Sequence, residues 1–154
     1  MSELEVRIEQ LSAMRMAGFL AYGREPEMAA WHKLLAWAKP RGFLDDLQNH
    51  RIFGFNNPNP SVGSPNYGYE FWMVVDDDVE ADSEVQVQEF PERLYAVTRC
   101  SGVQHITETW HSLAAWRENS SYKSAQHQWL EEHLGPIDKS PEEWAFDLYL
   151  PIAR

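Results

Sequence analysis

Two short stretches of this chain alternate acid with aromatic. Glu70 and Trp72 stand two residues apart, and Asp147 and Tyr149 repeat the pattern 77 positions later. Side chains two apart on a strand share a face. Each pair would therefore set a carboxylate beside an aromatic ring. A cation over such a ring gains about 0.5–2 kcal/mol, and a carboxylate in contact adds a charge-assisted hydrogen bond. Such a wall suits a flat, apolar or cationic organic molecule. The alternative is a solvated outer sheet face on which Trp72 and Tyr149 only cover surface.

These pairs need strands to hold them, and the chain carries the strands twice. Trp31-His32-Lys33-Leu34-Leu35-Ala36-Trp37 returns as Trp110-His111-Ser112-Leu113-Ala114-Ala115-Trp116, and Gly23 and Gly102 each stand eight residues before the first tryptophan. Tyr69 to Val75 matches Phe146 to Ile152 in character. A repeated supersecondary unit predicts a pseudo-twofold molecule with a cleft where the copies meet. The expected order is a strand at residues 5–11, a strand at 14–22, a helix from Pro26 to Ala38, a strand at 51–55 and a long strand at 67–75. The second copy runs as strands at 84–90 and 93–100, a helix at 103–117, a shorter helix at 125–134 stopped by Gly135-Pro136, and a strand at 143–152. The predicted fold is α+β: two strand-helix-strand-strand units in antiparallel sheet, one domain over 1–154 with lobes at about 1–76 and 84–154. The continuously apolar rows Tyr69, Phe71, Met73, Val75 and Phe146, Leu148, Leu150, Ile152 should pack beneath the helices. Glu70, Trp72, Asp147 and Tyr149 should line the groove.

The 154 residues are enough for one compact core. Thirteen basic against 24 acidic residues leave a net charge of −11, which argues against a nucleic-acid backbone or an anionic membrane surface as partner. The single Cys100 excludes an intramolecular disulfide, and no apolar run reaches membrane-spanning length. The composition reads as that of a soluble, cytoplasmic protein. Asp76, Asp78 and Glu80 imitate a calcium loop but lack its glycine and its closing glutamate. His127, Glu131 and His133 lack the spacing of a zinc site. No metal and no cofactor is expected. Trp37 and Trp116 read as core, Trp110 as core or ligand platform.

The element order, the Asn57-Pro58 loop before a Tyr-x-Tyr-Glu strand, the Trp-x-x-Leu-x-x-Trp helix and the terminal Asp-Leu-Tyr-Leu-Pro-Ile strand resemble the GyrI-like family, from Glu5 to Ile152. This small-molecule-binding domain also forms the effector half of bacterial multidrug-responsive transcription activators. The resemblance implies a duplicated fold with its ligand cleft between copies. It also implies a hallmark acid in Trp129-Leu130-Glu131-Glu132-His133-Leu134, where Glu131 takes the place that contacts cationic drugs at the cleft floor. From the residues alone, Glu131 would be an exposed helical carboxylate beside Glu132. His133 stands where the family has Tyr and adds a group of ordinary titration near neutral pH.

The leading reading is a stand-alone protein that binds an aromatic or cationic small molecule for sensing or sequestration, with Glu131, Glu70, Trp72, Trp110, Asp147, Tyr149 and His133 at the ligand. With no helix-turn-helix in these residues, it would not contact DNA itself. The resemblance implies an alternative: hydrolysis of cyclopropane-bearing electrophilic toxins, with Glu131 as general base and Trp72, Trp110 or Tyr149 cradling the substrate. A further alternative is a protein-interaction role of gyrase-inhibitor type, in which acidic surface meets a basic protein partner.

Overall fold

Helix α1 spans Pro26–Ala38, with a proline in its first turn and Glu27 beside it. Both choices suit a helix N-terminus, where the proline's missing N–H is no loss and a negative charge meets unpaired N–H groups. A strand, β2 (Met14–Gly23), leads into it. In the computed structural model, which describes residues 4–56, 63, 65–83, 85–135, 137 and 139–154, the same step is taken twice. Gly23 (φ +153°) ends β2, and Gly102 (φ +87°) ends the run from strand β6 (Arg93–Ser101) toward helix α2 (Ile106–Glu118). A side chain would be strained at either backbone angle. The repeated glycines are thus a repeated turn.

The remaining strands are β1 (Arg7–Leu11), β3 (Ile52–Asn56), β4 (Tyr67–Val74), β5 (Gln86–Phe90), the short β7 (Lys123–Ser124), β8 (Leu130–Gly135) and β9 (Ala145–Ala153). The chain forms two compact units. One is Met14–Phe90; the other joins Met1–Ala13 to Pro91–Arg154. Among the described residues, no helix is long and apolar enough to cross a membrane.

In the Met14–Phe90 unit, the antiparallel order is β5-β2-β4-β3, with Phe19 opposite Phe71 and Gly54 opposite Phe71 on its other side. Helix α1 covers the face bearing Phe19, Tyr69, Phe71 and Met73. Trp31 packs on Phe71 at 5.0 Å and Trp37 on Phe19 at 5.5 Å between ring centroids. Six residues of α1 are buried, including both tryptophans.

In the second unit the order is β1-β6-β9-β8, again antiparallel, with β7 alongside the end of β9. Phe146, Leu148, Leu150 and Ile152 are almost wholly buried, and α2 packs over β6 and β9. The α+β class and the duplicated strand-helix-strand-strand order are both present. Strands β5 and β1 each pair with the first long strand of their own unit. The order of the chain does not announce that β1 belongs beside β6.

One expected element is corrected. The helix foreseen at 125–134 is absent, and β8 stands over its second half. Leu, Glu and His tolerate a helix, but pairing along β9 outweighs that weak propensity. Leu130 faces Tyr149, Glu131 faces Leu148 and Glu132 faces Asp147. Gly135, foreseen as a helix stop, instead closes the strand at an irregularity after His133. The Asn57-Pro58 part of the expected loop lies outside the described residues.

Candidate functional site

Because β8 is a strand, its two adjacent glutamates point to opposite faces. Glu131 shares the helix-covered face with Leu148, while Glu132 shares the other with Asp147 and Tyr149. The two faces differ in access.

On the helix-covered face, Trp110 of α2 donates its indole Nε1–H to Glu131 Oε2 at 3.0 Å. Trp129, just before β8 and two residues from Glu131, sets its ring 5.1 Å from that of Trp110 at a tilt of 43°. Trp129 is 41% exposed, and Glu131 and Trp110 are half-buried. The Arg117 guanidinium lies 6.0 Å from the Trp129 ring. The cluster is thus a carboxylate with two indoles, reachable from solvent. Glu131 also acts on its surroundings. Burial raises the Cys100 thiol pKa, a hydrogen bond from Thr109 opposes this, and the charges of Glu131 and Glu108 raise it further. The thiol is therefore not an activated nucleophile.

His133 lies on the same strand face, closed in by Phe146 at 4.8 Å and Trp144 at 5.5 Å. Burial pushes its pKa down to about 3. The expectation of a group titrating near neutral pH is therefore overturned: the imidazole stays neutral because burial leaves the charged form poorly solvated.

The opposite face holds the other foreseen residues, all nearly sealed. The Tyr149 hydroxyl donates to Glu132 Oε1 at 2.6 Å, and its ring meets Tyr95 edge-on at 5.4 Å. Asp147 accepts Arg99 Nε at 2.6 Å and Arg7 Nη2 at 2.8 Å. In the Met14–Phe90 unit, Trp72 donates its Nε1–H to Glu70 Oε1 at 2.9 Å and lies against Phe90 at 5.1 Å. Exposure is 8% for Glu70, 3% for Trp72, 3% for Asp147 and 0% for Tyr149. Polar groups so deeply placed must be hydrogen-bonded to be tolerated. In this conformation those contacts are internal, whereas Trp110, Trp129 and Glu131 reach solvent.

Trp129 escaped the sequence reading because a helix at 125–134 would point it away from Glu131. As a strand, the same three letters Trp-Leu-Glu put both on one side. A recess of about 880 Å³ beside β1 and β6 is lined by Glu5, Arg7, Thr98, Arg99, Glu108 and Ser112 among others. Its acids and arginines balance, and it carries no aromatic wall. Among the described residues, no cluster of His, Cys, Asp and Glu could hold a metal ion.

The family model for Cass2, the integron-associated effector binding protein, matches residues 7–152. Comparison with curated proteins gives no match. Among solved structures, EcmrR in its complex with DNA is similar at a TM-score of 0.73 and 13% identity, over 97% of this chain and 57% of EcmrR. This chain thus spans little more than half the length of EcmrR. A hydrolase from Listeria innocua is similar at 0.69 and 12%, over 98% of this chain and 93% of that one. SAV2435 bound to tetraphenylphosphonium is similar at 0.56 and 16%, over 97% and 94%. At these identities the structural likeness speaks for the fold.

Proposed function

This chain belongs to the Cass2 family of integron-associated effector binding proteins, GyrI-like effector-binding domains for small molecules, and we propose that its ligand is an aromatic organic cation held by Trp110, Trp129 and Glu131. The observation that carries this reading is the Trp110–Glu131 hydrogen bond beside an exposed Trp129 ring. An indole N–H fixes the carboxylate in place, so little side-chain freedom is lost when a ligand arrives. The neighbouring indole offers a π-face to the same ligand.

An organic cation fits better than a metal ion. One carboxylate cannot replace the water shell of a hard divalent ion, which takes six or more oxygens. A delocalised cation is weakly hydrated and gives up its water more readily. The net charge of −11 favours cations in general and opposes a phosphate backbone. The tetraphenylphosphonium bound by SAV2435 is an aromatic cation of this chemical kind.

The test is titration with tetraphenylphosphonium, followed by tryptophan fluorescence and calorimetry. Wild type should bind, and Glu131→Gln should weaken binding by about tenfold to a hundredfold, the range lost with a partly desolvated ion pair. A glutamine variant that binds as tightly as wild type would overturn the assignment.

A further inference from the structure

Arg117 sits in the last turn of α2, seven residues after Trp110 and so on the same helical face. Its Nη1 donates to the Pro151 carbonyl oxygen at 3.2 Å, and its Cζ stands 6.0 Å from the Trp129 ring centroid. A cation at a helix C-terminus is favoured by the partial negative charge there. The guanidinium is therefore a tethered charge, held by a carbonyl, a ring and a helix end. Trp129 thus has two fixed charges of opposite sign in its neighbourhood. Trp110, its ring 5.1 Å from that of Trp129, braces Glu131, and Arg117 stands 6.0 Å from the Trp129 ring centroid.

We infer that Arg117 is a specificity-determining residue of this site, one that limits the charge of the ligand to a single positive centre. The inference rests on the reading of Trp110, Trp129 and Glu131 as the ligand site. A monocation places its charge toward Glu131 and its rings on the indoles. A dication whose second centre extends along Trp129 carries it toward a guanidinium that cannot retreat without losing its carbonyl. Two like charges about 7 Å apart at an effective dielectric between protein and water repel enough for roughly a tenfold loss of affinity. Arg117 also competes for the π-face itself.

The probes are tetraphenylphosphonium, a bis-phosphonium salt with two triphenylphosphonium groups on a short alkyl chain, and neutral triphenylphosphine oxide. Wild type should prefer the monocation. Arg117→Gln should raise the affinity for the bis-phosphonium about tenfold relative to the monocation and leave the neutral oxide unchanged. Arg117→Lys, which keeps the charge, should hold the wild-type ratio. Arg117→Met, which keeps the apolar stem, gives the same reading if the glutamine variant loses its fold. An unmoved ratio in the uncharged variants, with tetraphenylphosphonium binding still dependent on Glu131, overturns this inference alone. Equal tightening of the neutral oxide also overturns it, because the effect would then be one of packing. Silence toward both cations in wild type and variants overturns it together with the ligand assignment.

Discussion

The two repeats use one arrangement to opposite ends. Glu131 pairs with Leu148 and Gly54 with Phe71, and Leu148 and Phe71 occupy matching places in β9 and β4. Gly54 is therefore the counterpart of Glu131, as Trp31 is of Trp110. In the Met14–Phe90 unit the position is filled from above. A Cβ at Gly54 would stand 2.4 Å from the Tyr69 hydroxyl oxygen, so the residue is glycine because Tyr69 lies across it. Trp31 is 5% exposed and packs on Phe71. In the other unit the equivalent strand position carries a carboxylate, and the equivalent tryptophan donates a hydrogen bond to it. Helix α1 buries six residues and α2 only Leu113. Duplication supplied two scaffolds; one is closed over its core, and the other leaves polar and aromatic groups within reach of solvent.

The largest test of that contrast exchanges each tryptophan for alanine. Trp31→Ala should cost about 3–5 kcal/mol of stability, the usual loss when a buried aromatic leaves a cavity. Trp110→Ala should cost about 1–2 kcal/mol, because it is half-buried, yet remove most binding of tetraphenylphosphonium. Urea unfolding and ligand titration read the two effects. Equal stability losses, with binding intact in the Trp110 variant, would erase the distinction between a closed repeat and an open one.

A smaller effect separates the repeats by pH. His133 has Asn56 as its counterpart, so the titratable group exists on one side only. Its folded pKa of about 3 lies below the ordinary 6.5. Between these values the unfolded chain takes up a proton that the folded chain refuses. This contribution to stability is therefore complete above pH 6.5 and is lost as pH falls toward 3. From pH 7 to 5.5, before most carboxylates titrate, wild type should lose about 1.4 kcal/mol from this source, one pKa unit's worth. His133→Asn, the residue of the other repeat, should show a flatter profile over that interval whatever its absolute stability. Parallel profiles would place the imidazole in contact with water.

The sequence revealed the duplication because tryptophan is rare and its spacing, with the preceding glycines, survived in both copies. Strand alternation sorted β4 and β9 into the right faces for the same reason: period two is set by the backbone itself. Two features were hidden. Leu130 to Gly135 has letters that a helix accepts, and only the partner strand β9, distant at the sequence level, decides against it. That decision moves Trp129 to the side of Glu131 and sends Glu132 to the other. Burial was the second. Glu70, Trp72, Asp147 and Tyr149 stand on the expected face, but nothing in their spacing tells that Arg7, Arg99, Phe90 and Tyr95 close around them. The acid lowering of stability through His133 is likewise a property of Phe146 and Trp144, not of histidine.

Glu131 and Glu132 allow the finest test, since adjacent residues of one type are assigned different work. Tyr149→Phe removes the hydroxyl that donates to Glu132 at 2.6 Å and leaves every group on the helix-covered face in place. The loss should be about 1.5–3 kcal/mol of stability, the usual net value for a hydrogen bond to a charged group. Affinity for tetraphenylphosphonium should stay within about twofold, because no contact of Trp110, Trp129 or Glu131 has changed. If this substitution weakened binding as much as Glu131→Gln, the ligand would have to lie on the face of Glu132 and Asp147. The sealed hydrogen bonds there would then be a closed state of the site, and the indoles of the other face would be surface.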